Sequence, residues 1–412
     1  MQQRGVTVWR PMNLAKKVFS AKTVCPTAAS QLYVAHGLLG NSGNWATALH
    51  HLVEHSALRD KLRRAIALDM RNHGNSPHSS DHTNAALASD LEALVLREQQ
   101  ELKRTFHDPS SCTTRHAILI GHSMGGLAVI GTLLRRANED HLLTSWADHC
   151  DGGGTTSSSS YGAWPAEHRR QCTAGMRAVH EEFGFASSQP ISKVLFSNCD
   201  ASSSPSTDSG IASRIPPLGR IAGAVIVDIT PTMRPWEEYS SSDNIKETLE
   251  RMTTVRLDAI HSYEEVTAEL IRVGIADQAM RNFLTTNIVL SPKDMSTPAQ
   301  WKCNLPVLAR DYGSFLPSIT SWFTSSVATG VHASSATAPQ PPPRPCTLPV
   351  MFVFGSKSPY NDLNYRQQIS RFFSSATQVV VDGAGHFVHY EKTKEFANAV
   401  APFIASLVSG VK

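Results

Sequence analysis

Charge is scarce in this chain: Asp, Glu, Lys and Arg make up 18% of its 412 residues, below the usual quarter. Lys and Arg number 38 against 35 acidic residues, and the resulting formal charge of +3 is too balanced for a nucleic-acid footprint. Long apolar runs are missing, since none approaches the roughly 18 residues that a membrane span needs. Paired cysteines are missing too. The seven, at positions 25, 112, 150, 172, 199, 303 and 346, are odd in number, scattered and without a C-x-x-C pair. That excludes a disulfide framework or zinc ribbon and points to a reducing, intracellular compartment. Acidic residues are absent from the whole start of the chain. The first is Glu54, preceded by Arg4, Arg10, Lys16, Lys17 and Lys22, which suits either a mitochondrial presequence or a folded basic strand. A core is present, because 41% hydrophobic content excludes wholesale disorder.

Short apolar runs bounded by turn residues alternate with helical patterns, which predicts an α/β protein with a mostly parallel sheet flanked by helices. Strands are expected over residues 32–35, 65–69, 117–121, 224–229, 350–355 and 378–381. Helices are expected over 84–104, 124–136, 364–373 and 391–408. Core segments 1–137, 219–231 and 348–412 are then separated by three others. Residues 138–218, with Gly152-Gly153-Gly154 and Ser157–Ser160, read as a low-complexity Ser/Gly insertion that does not pack. Residues 232–324 carry amphipathic helices and read as a helical cap, and 325–347 as a stiff Pro-rich linker.

Gly121-His122-Ser123-Met124-Gly125-Gly126 follows an apolar strand and opens a helix, the context of a G-x-S-x-G nucleophile elbow. Small residues allow the sharp turn that exposes Ser123 at a helix N-terminus, where N–H groups favour developing negative charge. A serine needs a base, and Gly383-Ala384-Gly385-His386-Phe387-Val388-His389 after the last strand offers His386, with His389 as competitor. The acid is Asp228, ending the apolar strand Val225-Ile226-Val227, or Asp362, which reads more simply as a helix cap. Ser358 stands where the next strand would place a carboxylate. His36-Gly37-Leu38-Leu39-Gly40 supplies the Leu38 N–H, which with the Met124 N–H would bind an oxyanion. Residues 69–79 brace this loop, with Asp69 and Arg71 as a structural ion pair. His36, Gly37, Leu39, His122 and Phe387 are candidates for the pocket wall. His149, Cys150, Cys172, His180 and Cys199 lie at irregular spacing in the insertion and read as solvated side chains, not a zinc site.

H-G-L-L-G, D-x-R-N-H-G-x-S-P-H-S, G-H-S-M-G-G, V-D-I-T-P and G-A-G-H-F-V-H, in this order, resemble the α/β-hydrolase superfamily. Within it they resemble the group of alpha/beta hydrolase domain-containing protein 11 and its bacterial esterase relatives, across residues 13–137, 219–323 and 348–410. Asp228 matches that group's V-D-I-[SA]-P motif, Ser358 its missing acid, and Trp301–Leu305 its W-x-x-N-L cap segment, although Pro306 departs from it. The resemblance implies an α/β-hydrolase fold, hydrolysis of a small acyl ester or thioester, no cofactor or metal, and a mitochondrial address (cytoplasmic otherwise). Ser123, His386 and Asp228 would be nucleophile, base and acid. A C–C bond hydrolase with the same residues and a non-catalytic binding or stabilising protein are the alternatives.

Overall fold

The computed structural model describes residues 10–22, 30–105, 116–139, 164–183, 220–232, 245–290, 298–315 and 344–409. Its strands are β1 (Lys16–Phe19), β2 (Ser30–Ala35), β3 (Leu62–Leu68), β4 (His116–His122), β5 (Arg220–Val227), β6 (Ile288–Val289), β7 (Gln300–Trp301), β8 (Val350–Gly355) and β9 (Ala376–Val381). Its helices are α1 (Ala46–Glu54), α2 (Asn84–Thr105), α3 (Met124–Ala137), α4 (Trp164–Glu182), α5 (Ile245–Met252), α6 (Tyr263–Arg272), α7 (Gln278–Thr285), α8 (Leu305–Phe315), α9 (Leu363–Arg366), α10 (Val388–Glu391) and α11 (Thr393–Ser409).

Seven strands form one sheet in the order β1-β3-β2-β4-β5-β8-β9, parallel throughout except for β1, which runs antiparallel to β3. Parallel strands covered on both faces are apolar on both, and β2, β4 and β8 are buried along their whole length. The two faces alternate with period two. Tyr33, Ile66 and Leu119 point to α2 and α3, where Leu87, Leu91, Leu127 and Ile130 meet them. Val34, Ala67 and Ile120 point to α1 and α11, against Leu49, Leu52, Phe396 and Val400. All six expected strands are present. β1 gives Lys16 and Lys17 the folded-strand role, one of the two readings of the basic start; Arg4 lies outside the described residues.

Between β5 and β8 the chain forms α5 to α8 and the small β6–β7 hairpin. These helices begin with local caps: Ser262 and Glu265 form a capping box on α6, and Asp277 caps α7. They share the apolar cluster of the core, through residues such as Leu249, Leu284 and Leu308, and add polar contacts to it. Asn304 donates to the Asn72 side chain at 3.1 Å and to the Ser79 carbonyl at 3.2 Å, and the Asn287 amide donates to the Leu39 carbonyl.

The insertion departs from its reading as a segment that does not pack. α4 buries Cys172, Met176 and Val179 against α2 and fastens its end with the Arg97–Glu182 ion pair at 2.5 Å. His180 Nε2 lies 2.9 Å from Glu139, whose carboxylate also pairs with Arg136 at 2.7 Å. Cys172 and His180 are therefore buried, not solvated, and burial pushes the Cys172 thiol up to about 11. Cys172, Met176 and Val179 do follow helical spacing, but the surrounding Ser and Gly tracts masked it. His149, Cys150 and Cys199 lie outside the described residues. Among the described residues no group of His, Cys, Asp and Glu is arranged to hold a metal, and no helix is long and apolar enough to cross a membrane. The linker's last residues are built in: Asn138 and Arg344 exchange two hydrogen bonds of 2.8 Å, and Cys346 is buried.

Candidate active site

The turn from β4 into α3 is possible only without side chains nearby. A Cβ on Gly125 would sit 2.3 Å from the Ala35 carbonyl oxygen, a backbone atom that cannot give way. Ser123 takes φ +50° and ψ −118°, a conformation that L-residues rarely adopt and that functional sites retain. Its N–H donates to the Val227 carbonyl at 3.0 Å, and its own carbonyl accepts from Leu127 at 2.9 Å. The side chain makes no capping bond and stays partly exposed at the start of α3.

Val227 is also the residue before Asp228, so the bond from Ser123 places the two at neighbouring strand ends. Asp228 has φ +56° and is completely buried. A buried carboxylate is tolerated only with donors, and it has three. Oδ1 accepts the Gly355 N–H at 3.0 Å, while Oδ2 accepts the Ser358 hydroxyl and the His386 Nδ1–H, the latter at 2.6 Å. Ser358 thus stands where the next strand would place a carboxylate and donates instead to Asp228, one strand over. Asp362 instead accepts the Asn364 N–H at 2.9 Å and caps α9.

His386 lies on the loop after β9, opened by Gly383 at φ +73°. The Glu391 carboxylate staples this loop by accepting the Gly385 and Phe387 amides at 2.7 and 3.0 Å, a role that sequence reasoning missed. Tyr360 and Phe387 flank the imidazole, with ring centroids 4.5 and 5.3 Å away, and Phe387 meets Phe283 of α7 at 4.9 Å. His389 is buried and stacked on Trp45 at 4.0 Å; desolvation, then the charge of His386, pushes it down to about 3.

The H-G-L-L-G loop is braced as expected, by histidines. His36 Nδ1 donates to the Gly37 carbonyl at 2.7 Å, and its Nε2 accepts the Met70 N–H at 2.9 Å. His73 Nδ1 donates to the Arg71 carbonyl at 2.9 Å, and its Nε2 accepts the Leu39 N–H at 3.1 Å. Each needs a neutral ring. Burial holds both below the ordinary histidine value, His73 well below it with help from His36 and His82. Leu39, at φ +60°, has its N–H and carbonyl both engaged, whereas the Leu38 and Met124 N–H groups hold no acceptor among the described residues. The ion pair expected between Asp69 and Arg71 is absent. Arg71 binds Asp90 through two bonds of 2.7 and 2.9 Å, while Asp69 accepts the Ser42 and Asn75 amides at 2.6 and 2.8 Å.

Of the expected pocket-wall residues, Phe387 is partly exposed beside His386. His36, Gly37, Leu39 and His122 are buried behind the site, and both histidines spend a ring nitrogen on main-chain carbonyls.

Known proteins resemble this chain over most of its length. The model of the Alpha/beta hydrolase family matches residues 32–399. The mouse sn-1-specific diacylglycerol lipase ABHD11 is 22% identical over 397 residues, 96% of this chain and 86% of that protein. Esterase YbfF of Escherichia coli is 22% identical over 378 residues, 91% of this chain and 93% of its own. Among solved structures, a marine microorganism esterase superposes with a TM-score of 0.56 at 18% identity, covering 95% of this chain and 99% of that one.

Proposed function

This chain belongs to the alpha/beta hydrolase family, and from that premise we propose that it is a serine hydrolase that cleaves carboxylic esters or thioesters through an acyl-enzyme. The observation that carries the reading is the pairing of the buried Asp228 with the partly exposed His386 at 2.6 Å, with Asp228 at the strand end beside the strained Ser123. With Nδ1–H committed to Asp228, the His386 tautomer leaves Nε2 free to take a proton. Ser123 attacks the acyl carbonyl as His386 removes its hydroxyl proton, and His386 then returns that proton to the leaving alcohol or thiol. Asp228 stabilises the imidazolium between these steps. The Leu38 and Met124 amides hold the oxyanion, and losing one such donor elsewhere costs roughly 3 to 4 kcal/mol. Water, deprotonated by His386, then releases the acid.

Phe283 and Phe387, whose rings meet 4.9 Å apart beside His386, offer the acyl chain an aromatic surface. The name of the mouse relative places diacylglycerols among the esters to be tried. The resemblance to the group of alpha/beta hydrolase domain-containing protein 11 carries the proposal of a mitochondrial address, which fractionation of a tagged full-length chain tests. The deciding assay is a panel of p-nitrophenyl esters, acyl-CoA thioesters and a diacylglycerol on wild type and Ser123→Ala. Hydrolysis by wild type alone is expected. A folded wild type inert on every member would favour a binding protein and overturn the proposal.

A further inference from the structure

His122 precedes Ser123 and is only 2% exposed, and its ring adjoins the elbow, the Gly37 turn and the loop that carries His386. Its Nε2 lies 3.0 Å from the His386 carbonyl oxygen, which can only accept, so Nε2 carries the hydrogen. Its Nδ1 would be 2.7 Å from a Cβ on Gly37, so the oxyanion loop must have glycine there to clear the ring. The same ring lies 4.6 Å from the His386 imidazole, 4.7 Å from His389 and 5.5 Å from Phe387. Elbow, oxyanion loop and histidine loop therefore meet on one side chain.

We propose that His122 is a positioning residue for the reaction, holding the main chain of His386, and so its imidazole, in register with Ser123 and the Gly37 turn. This rests on the reading of Ser123 and His386 given above. The His386 side chain is anchored at one end by Asp228, and the His122 bond fixes the backbone at the other. With both points held, the imidazole has one approach to the serine. Burial, then the neighbouring His386 and His389, keeps His122 well below the ordinary histidine value, so it remains a neutral donor while His386 takes up a proton.

The test compares His122→Leu, which loses the donor, with His122→Gln, whose amide can take the place of Nε2–H. A misplacement near 1 Å costs about a hundredfold, so His122→Leu should lose roughly 10- to 100-fold in kcat and in the rate constant for fluorophosphonate inactivation, with KM within about threefold. His122→Gln should recover most of both rates, at a melting temperature close to that of the Leu variant. Equal rates in the two variants, or a loss confined to KM, would overturn the proposal; the latter returns His122 to the pocket wall. Should His122→Leu fail to fold, His122→Asn, whose shorter amide stops short of the His386 carbonyl, replaces it with the same expectations. Ser123→Ala and His386→Ala run alongside. If either remains active, the catalytic reading falls and the proposal with it; if both are inert while His122→Leu is unimpaired, only the positioning role falls.

Discussion

Replacing Asp228 with Asn changes one oxygen to an NH2 group and removes a charge, with almost no change of shape. The consequence follows from the three donors that converge on the carboxylate. An amide has one oxygen, and the main-chain N–H of Gly355 cannot turn away from it. The NH2 group then faces the Ser358 hydroxyl and His386. Ser358 can rotate to accept, but His386 can answer an N–H donor only through a bare Nδ1, which shifts its hydrogen to Nε2. That tautomer cannot take the Ser123 proton. In a serine protease triad the same exchange costs about 10⁴ in turnover, or about 5.5 kcal/mol at the transition state. Asp362→Asn is the control, since Asn caps helices as well as Asp does. Both variants should be measured at saturating p-nitrophenyl ester, with circular dichroism confirming the fold. An Asp228→Asn enzyme within tenfold of wild type, or a crippled Asp362→Asn, would refute the reasoning.

Ser358→Ala removes one donor to Asp228; a hydrogen bond to a charged group contributes about 1.5–3 kcal/mol, so kcat should fall at least about tenfold, and an unchanged kcat would show the bond to be idle. Met176→Ala opens a cavity where α4 packs on the core and should destabilise by about 2–5 kcal/mol in chemical denaturation while leaving 25 °C activity intact; an unchanged midpoint would restore the insertion as a solvated segment. Acid should weaken the fold. His82 and His389 are pushed down to about 3, chiefly by burial, whereas the unfolded chain binds their protons near pH 6.5. Stability is therefore full above about pH 6.5 and falls towards about pH 3, by about 1.4 kcal/mol per unit for each ring. Denaturant midpoints at pH 7 and 5 check this, and His389→Phe, which keeps the stack on Trp45, should flatten the slope; a midpoint that rises on acidification would contradict it.

The parallel sheet was legible because strands buried on both faces have no polar positions to blur them, as Ala117–Ile120 and Val350–Phe354 show. Asp228 was legible for a related reason: a carboxylate ending such a strand needs donors, and three are there. β1 was legible only as one of two readings of the basic start, without bounds, because it is a four-residue edge strand with exposed residues. α4 escaped because its apolar stripe is short and sits among Ser and Gly tracts. The partners of Asp69, Arg71 and His122 could not be read, since each is fixed by a contact across the fold, while Glu391 reaches back only four and six residues to a loop whose turn its sequence does not show. Arg71 reaches Asp90 on α2, not its near neighbour, because Asp69 is taken by the amides of Ser42 and Asn75. His36 and His122 look like pocket residues in sequence because they adjoin the reacting groups. In the fold both are buried, and each spends a ring nitrogen on a main-chain carbonyl.

The central claim is that Ser123 becomes acylated. The most direct measurement is mass spectrometry of the full chain after reaction with a fluorophosphonate, followed by mapping of the modified peptide. One adduct on Ser123, suppressed by prior incubation with an ester substrate and absent from Ser123→Ala, is the predicted result. An adduct on another residue, or ester hydrolysis that persists in Ser123→Ala, would contradict the account.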